Sequence, residues 1–333
     1  MTLEAMIGRL LVVGTPGPAI SPDWAQHLRH IHAGGYIPFV RNWESADQFR
    51  ALVREFEEAV QQPALVMVDH EGGRWARFSG PGVTAFPEAA AMGGRGPEAV
   101  REQGRIEGRE LRALDVDVNL APVVDVLADG SDPIIGGRSY GRDAARVSTL
   151  AVARLRGLQE TGGVSACAKH FPGLGAVPKD PHTHLPTLAL DWEEMRAVHL
   201  APFVATIAAG VACIMSSHVV YPTLDPGPPR PATFSQRLIH DLLRLQMGFR
   251  GAILTDDLEM GALRGLGTIG DAAVHAVEAG HDLLLICADQ TAQRQAFDAL
   301  RAAYTSGRLS THELELSLAR IDRLRREKSG PSP

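Results

Sequence analysis

The stretch KHFPGLGAVPKDPHTHLP, residues 169–186, concentrates side chains that can carry out acid–base chemistry. It holds three histidines, two lysines and one aspartate, together with four prolines and two glycines. Because proline and glycine interrupt helices and central strands, we predict a long loop, and long loops in compact domains are commonly functional. Asp180 and His182 are two residues apart, so an extended backbone would point both side chains in one direction. A carboxylate beside a histidine can orient the ring and stabilise its charged form, as a proton shuttle requires.

Short apolar runs and amphipathic helical segments alternate along the chain. The runs are residues 10–14, 36–40, 64–70, 116–122, 164–170, 212–218, 252–257 and 282–287. Several are continuously apolar, as is typical of parallel strands buried on both faces. Periodic apolar residues predict helices over 47–62, 99–114, 145–163, 192–210, 235–248, 270–280 and 311–328.

Eight strands alternating with helices predict a (β/α)8 TIM barrel that spans residues 1–333 as a single domain. A doubly wound open sheet is the alternative. It would carry a glycine-rich phosphate fingerprint after the first strand, and VVGTPGPAI lacks that pattern.

The active site of such a barrel lies at the carboxyl ends of its strands. Polar residues follow five consecutive predicted strands at this end: Asp69 to Arg74 with Arg77, then Arg138, then Lys169 and His170, then Ser216 to His218, then Thr255 to Asp257. We predict that Glu71 turns away to cap a helix or to pair with an arginine, and that His218 is a structural hydrogen-bonding residue. Either Asp256 or Asp257 could instead cap the helix that follows.

Two chemistries suit these residue types. Asp180, His182 and His184 have ligand types that suit zinc, but Pro181 interrupts the cluster. Retaining glycoside hydrolysis needs a carboxylate nucleophile and a group that gives and later takes a proton. Asp256, fixed at a strand end, suits the nucleophile, and His182 with Asp180 suits the proton shuttle. We favour hydrolysis, with no metal and no other cofactor.

Composition narrows the class of partner. The net charge of −6 argues against a nucleic acid or an anionic membrane and fits a small-molecule substrate. The three cysteines lie in apolar runs, which is typical of reduced core cysteines in a cytosolic protein. No uncharged apolar stretch reaches about 18 residues, so we expect no membrane span. The N-terminus, with Glu4 and no basic segment, does not resemble a signal peptide. For a chain of this length we expect a monomer.

Four motifs, VDHEGGRWARF, IGGRSYGRD, KHFPGLGAVPKDPHTHLP and ILTDDLEM, resemble the single-domain bacterial β-N-acetylhexosaminidases of glycoside hydrolase family 3. The resemblance implies a cytoplasmic, metal-independent (β/α)8 barrel. Such enzymes remove non-reducing GlcNAc from peptidoglycan fragments that carry anhydro-N-acetylmuramic acid. By the same resemblance Asp256 is the nucleophile, His182 the acid/base and Asp180 its partner. The implied substrate-binding residues are Asp69, Arg77, Arg138, Lys169 and His170.

One position departs from the family pattern. The loop usually reads KHFPGHG, and here its sixth position is Leu174, which could alter affinity or subsite preference. His184 is not required by the pattern. Three alternatives stay open: a phosphorylase of the same family, a β-glucosidase or β-xylosidase, which usually carries a second domain, and a non-catalytic sugar-binding or sensor barrel. Intact Asp180, His182 and Asp256 favour an enzyme. A histidine acid/base is compatible with phosphate as acceptor, because a carboxylate there would repel it.

Overall fold

The computed structural model describes residues 1–130, 134–178 and 180–325. Eight strands form its centre: β1 (Leu11–Val13), β2 (Gly35–Tyr36), β3 (Leu65–Val68), β4 (Val118–Asn119), β5 (Ser165–Phe171), β6 (Cys213–Ser216), β7 (Ala252–Asp257) and β8 (Leu283–Ile286). Each pairs in parallel with the next, and β8 pairs with β1, so the sheet closes into a barrel. The predicted (β/α)8 barrel is confirmed. The open-sheet alternative is wrong, because closure leaves no sheet edge.

Helices surround the barrel. They are α1 (Leu3–Gly8), α2 (Pro22–His30), α3 (Ala46–Val60), α4 (Ala89–Gly93), α5 (Pro97–Ala113), α6 (Ala144–Arg156), α7 (Trp192–Glu194), α8 (Ala201–Ala208), α9 (Ile269–Ala279), α10 (Gln290–Thr305) and α11 (Thr311–Leu324). Within the described ranges, three segments are π-helical: Gly157–Gly162, Met195–His199 and Arg237–Gln246. All seven predicted helices are found in place. The predicted end of the last one, residues 326–328, lies outside the described residues.

Local sequence signals fix where the helices begin and end. Thr268 caps α9 through a capping box with Asp271, in which each side chain accepts from the other residue's backbone N–H. Gly280 ends the same helix with a φ of 112°, a conformation that side chains with a Cβ rarely adopt. The strand that follows, β8, therefore starts from a fixed point.

The core fills the barrel and the space between strands and helices. Every residue of β3 and of β8 is buried, which explains their continuously apolar sequences. Cys167, Cys213 and Cys287 are buried and free, as the apolar runs around them predicted. Among the helices of the described ranges, none is long and apolar enough to cross a membrane. Dense packing below the strand ends gives the polar residues there a stiff support.

Candidate active site

The polar residues predicted at the strand ends meet at one end of the barrel. Asp69 lies one residue beyond β3, Lys169 and His170 belong to β5, and Asp256 is the penultimate residue of β7. The register between β5 and β6 shifts between Lys169 and Phe171. This irregularity interrupts the normal alternation of strand side chains. Both Lys169 and its neighbour His170 reach the same polar network as a result.

A network of buried charges forms the floor of this site. Lys169 Nζ lies 2.6 Å from Asp69 Oδ1 and 2.7 Å from Glu71 Oε1. Arg138 donates from Nε and Nη2 to the two oxygens of Glu71, both at 2.8 Å. The prediction that Glu71 pairs with an arginine is confirmed, and the same carboxylate also holds Lys169. The paired geometry fixes both cations in position.

Burial and pairing act against each other on these charges. Burial alone would raise the pKa of Glu71, but Arg138 and Lys169 outweigh it and hold that pKa well below its usual range. Burial alone would lower the pKa of Lys169, but Asp69 and Glu71 raise it above the ordinary value. The network therefore stays charged at neutral pH, with donors and acceptors in fixed places.

Aromatic rings position the two arginines. The Arg138 guanidinium lies 4.7 Å from the Trp75 ring, and the Arg77 guanidinium lies 5.6 Å from the Phe39 ring. Arg77 also lies 3.5 Å from Asp69 Oδ2. The sequence reasoning did not select Trp75 or Phe39, because an aromatic residue in a loop carries no signal of the cation it will contact.

Asp125 is a site residue that the sequence reasoning missed. Its Oδ2 lies 2.8 Å from His170 Nδ1, and its Oδ1 accepts the backbone N–H of Leu174 at 2.7 Å. His170 Nε2 lies 3.4 Å from Arg138 Nη2. Asp125 is fully buried, so its carboxylate needs these partners. A single aspartate inside the apolar run PVVDVLA was the available signal.

Leu174, the departure from the family loop, is buried in the hydrophobic cluster behind β5. Its contact with Asp125 comes from the backbone and does not depend on the side chain. The anchor of the loop to Asp125 therefore persists with leucine at this position.

Asp256 is partly buried at the end of β7, and its Oδ1 accepts the backbone N–H of Asp257 at 2.9 Å. Burial acts to raise the pKa of Asp256, but His170, His218, that N–H and Lys169 outweigh it and keep the pKa below the ordinary value. Asp257 behaves in the opposite way, since burial raises its pKa to about 7. Of the two neighbouring carboxyls, Asp256 is therefore the more fully ionised one at neutral pH.

The expectation that Asp256 or Asp257 could cap a helix is wrong. The segment after β7 is a short 3-10 turn, Gly261–Leu263, which follows Met260, and α9 is capped by Thr268. Asp257 Oδ1 accepts the backbone N–H of Glu259 within the connecting turn instead.

His218 is held on both sides of its ring. Nδ1 lies 2.6 Å from Thr233 Oγ1, and Nε2 lies 2.9 Å from the backbone oxygen of Asp257. The predicted structural role of His218 is confirmed, and the ring braces the strand end that carries Asp256.

Asp180 and His182 are in direct contact. His182 Nδ1 lies 2.6 Å from Asp180 Oδ1, which also accepts the backbone N–H of His182 at 2.8 Å. The expected extended backbone is wrong, because residues 180–184 form a turn in which the Asp180 carboxylate closes on the N–H two residues ahead. The predicted pairing therefore arises from an Asx turn.

The loop brings His182 over the strand ends. The backbone N–H of Gly261, in the segment that follows β7, donates to the His182 carbonyl at 3.0 Å, so this part of the loop lies beside the chain that leaves the strand of Asp256. The His182 side chain is about half exposed, 51%. His184 Nδ1 faces Thr183 Oγ1 at 2.8 Å. Within the described ranges, no three histidine, cysteine or carboxylate side chains converge as a metal site requires.

The mouth of this (β/α)8 barrel thus holds ionised carboxylates, a histidine–aspartate pair and paired cations, the residue types that suit a glycoside hydrolase. The model of the glycosyl hydrolase family 3 N terminal domain matches residues 2–324. The chain therefore belongs to glycosyl hydrolase family 3, as its four motifs indicated.

Individual relatives agree with this assignment. A protein of Nitrosomonas eutropha named beta-hexosaminidase is 35% identical over 303 residues, which cover 89% of this chain and 85% of that one. The family 3 beta-N-acetylglucosaminidase of Paenibacillus sp. matches 100% of this chain with a TM-score of 0.93 and 37% identity. This chain spans 64% of that longer protein. NagZ from Neisseria gonorrhoeae, solved in complex with N-trifluoroacetyl-D-glucosamine, has a TM-score of 0.78 and 30% identity, over 95% of this chain and 98% of that one.

Proposed function

We propose that this protein is a retaining, exo-acting β-N-acetylglucosaminidase that hydrolyses terminal non-reducing β-linked GlcNAc. Family membership and relatives named beta-hexosaminidase support the reaction class. The gonococcal relative, solved with an N-acylated glucosamine, supports the sugar. The observation that carries the proposal is an ionised carboxylate, Asp256, at a barrel mouth that also receives the Asp180–His182 pair.

In the first step the Asp256 carboxylate attacks the anomeric carbon of the sugar. The bond between that carbon and the aglycone oxygen breaks, and protonated His182 gives its proton to the leaving oxygen from Nε2. Asp180 holds Nδ1, so Nε2 is the nitrogen that faces the substrate. The product is a glycosyl ester of Asp256 and a free aglycone.

In the second step His182, now neutral, takes a proton from water. The water oxygen attacks the anomeric carbon, and the ester bond to Asp256 breaks. Two displacements restore the original β configuration, which defines a retaining enzyme. Asp180 stabilises the imidazolium that forms again.

The charge network would bind the sugar. Asp69 offers carboxylate oxygens to hydroxyl groups, while Arg77, Arg138, Lys169 and His170 offer N–H donors. Because ion pairs already hold these groups, little ordering remains to be done when the sugar binds. A fixed set of donors and acceptors suits a ligand that is covered with hydroxyls.

For the natural substrate we propose GlcNAc linked to 1,6-anhydro-MurNAc, with or without peptide, as released during cell-wall recycling. We place the reaction in the cytoplasm and assign it to a single-domain monomer. Buried free cysteines are compatible with a reducing compartment. Incubation with purified anhydro-muropeptides, followed by mass spectrometry of the products, tests the aglycone directly.

The test of the activity pairs two chromogenic aryl β-glycosides, the N-acetylglucosaminide and the glucoside, without added metal and with or without inorganic phosphate. We expect release from the N-acetylglucosaminide alone, indifferent to phosphate, with the β anomer of GlcNAc formed first by NMR. Asp256→Ala should lower kcat/KM by about 10³-fold or more.

Four results would contradict the proposal. Formation of GlcNAc 1-phosphate would make the protein a phosphorylase. Preference for the glucoside would change the sugar. Folded protein that releases neither aglycone would leave the non-catalytic barrel. An Asp256→Ala variant as active as the wild type would exclude Asp256 as the nucleophile.

A further inference from the structure

The turn that follows the strand of Asp256 touches the loop that carries His182. The backbone N–H of Gly261 donates to the carbonyl of His182 at 3.0 Å, and the N–H of Ala262 donates to the carbonyl of Pro181 at 3.0 Å. The loop from β5 thus rests directly on the chain that leaves β7.

Gly261 leaves no room for a side chain at this contact. A Cβ there would lie 2.5 Å from the His182 carbonyl oxygen and 3.0 Å from the Thr183 Cα, both of them backbone atoms. Gly261 is not among the glycines with positive φ, so its own backbone would accept alanine. The obstacle to a methyl group is therefore the position of the loop.

Of the turn after β7 and the loop that carries His182, the turn is the more rigidly packed. Ala262 and Leu263 are 1% and 6% exposed, and Leu263 belongs to the core around the barrel. Leu258, on the same segment, donates its N–H to Leu285 in β8 at 2.9 Å. The loop residue His182, by contrast, has a half-exposed side chain. The loop therefore takes its position from the turn.

We propose that Gly261 is a positioning residue that seats the acid/base loop at a set distance from the nucleophile. The inference rests on the proposed roles of His182 and Asp256. The nucleophile Asp256 and the acid/base His182 would then both be positioned by one rigid element, β7 and the turn that follows it. A side chain at position 261 would lift the Pro181–Thr183 segment, and with it the His182 ring, away from the leaving oxygen.

The test compares Gly261→Ala with Gly17→Ala and with His182→Ala. Gly17 is a matched control, because a Cβ there would meet nothing within 4 Å and its φ is also outside the left-handed range. The substrates are two aryl N-acetyl-β-glucosaminides, one with 2,4-dinitrophenol and one with phenol as leaving group. The dinitrophenolate departs without a proton, whereas phenol needs the acid.

We expect Gly261→Ala to lower kcat/KM on the phenyl substrate by about 10–100-fold, since a displacement of about 1 Å can cost about 10²-fold. On the dinitrophenyl substrate kcat/KM should stay within about twofold, because protonation is not needed there. Azide attacks the glycosyl ester without a base. It should therefore raise kcat of Gly261→Ala on the dinitrophenyl substrate and yield the β-glycosyl azide. His182→Ala should show the same pattern more strongly, and Gly17→Ala should match the wild type.

Suppose that His182→Ala shows the expected dependence on the leaving group. The inference is then overturned if Gly261→Ala loses equal activity on both substrates or loses none. A wild type that is inactive on both substrates, or a His182→Ala variant without leaving-group dependence, would remove the proposed function and the inference with it. If Gly261→Ala fails to fold, amide exchange of the wild type decides. Slow hydrogen exchange of the Gly261 and Ala262 amides would support the contact between turn and loop. Exchange at the rate of an unstructured peptide would contradict it.

Discussion

A single oxygen of Asp180 holds His182 in two ways. Oδ1 accepts the backbone N–H of His182 at 2.8 Å and lies 2.6 Å from its ring Nδ1. The first contact shapes the turn, and the second orients the ring. The aspartate therefore links the path of the loop to the direction in which Nε2 points.

Replacement of Asp180 should weaken proton transfer. Asp180→Ala removes both contacts, and we expect kcat/KM on the phenyl N-acetylglucosaminide to fall by about 10²-fold or more. Asp180→Asn keeps an oxygen for the turn but loses the charge that stabilises the imidazolium, so its loss should be smaller. His184→Ala is the control from the same turn and should stay close to the wild type. Similar losses in His184→Ala and Asp180→Ala would contradict a specific role for the carboxylate.

Glu71→Gln should destabilise the protein. Arg138 and Lys169 would lose the carboxylate that they share, and breaking a buried ion pair by removing one partner costs about 3–5 kcal/mol. Asp129→Asn is the control, because Asp129 pairs with Arg142 in full solvent and we expect no measurable change. Urea unfolding measures both free energies. Equal stability of Glu71→Gln and the wild type would show that the network is not needed for folding.

Asp257 should make stability depend on pH. Burial raises the pKa of Asp257 to about 7, and the carboxylates of Glu259 and Asp256 add to the effect. A carboxyl whose pKa rises on folding stabilises the folded state below its ordinary pKa, and this contribution is lost as the pH rises through about 7. Asp257→Asn cannot titrate. Its free energy of unfolding should therefore rise relative to the wild type between about pH 5 and about pH 8.5.

Urea unfolding at the two pH values measures this difference, with Asp129→Asn as an exposed control. If the difference between Asp257→Asn and the wild type is the same at both values, Asp257 does not titrate between them. That result would also weaken the distinction between the two neighbouring carboxyls, on which the choice of Asp256 partly depends.

Much of the barrel could be predicted from its apolar runs. Strands such as β3 and β8 are buried on both faces, so their sequences are apolar throughout and mark them clearly. The helices α1, α2, α4 and α10 were not predicted. Among these, α10 contains five alanines and several polar residues, and its apolar stripe is correspondingly narrow.

Site residues could be predicted from the sequence when their residue type alone indicates their chemistry. Residues whose role depends on contacts between distant parts of the chain could not. Glu71 was expected to cap a helix or to pair with an arginine, and the second outcome agrees with the need of a buried carboxylate for a cation. Asp125 was missed, since its partners His170 and Leu174 come from a different strand and loop. Gly261 was missed for the same reason, because nothing near it in sequence indicates the close approach of His182.

The most direct test of the central claim is to trap the covalent intermediate on Asp256. A 5-fluoro-N-acetylglucosaminyl fluoride forms the glycosyl ester quickly and releases it slowly, so the labelled enzyme can be digested and sequenced by tandem mass spectrometry. We predict one fluorinated GlcNAc on Asp256 and no label in Asp256→Ala. A label on Asp257, or turnover without any label, would contradict Asp256 as the nucleophile.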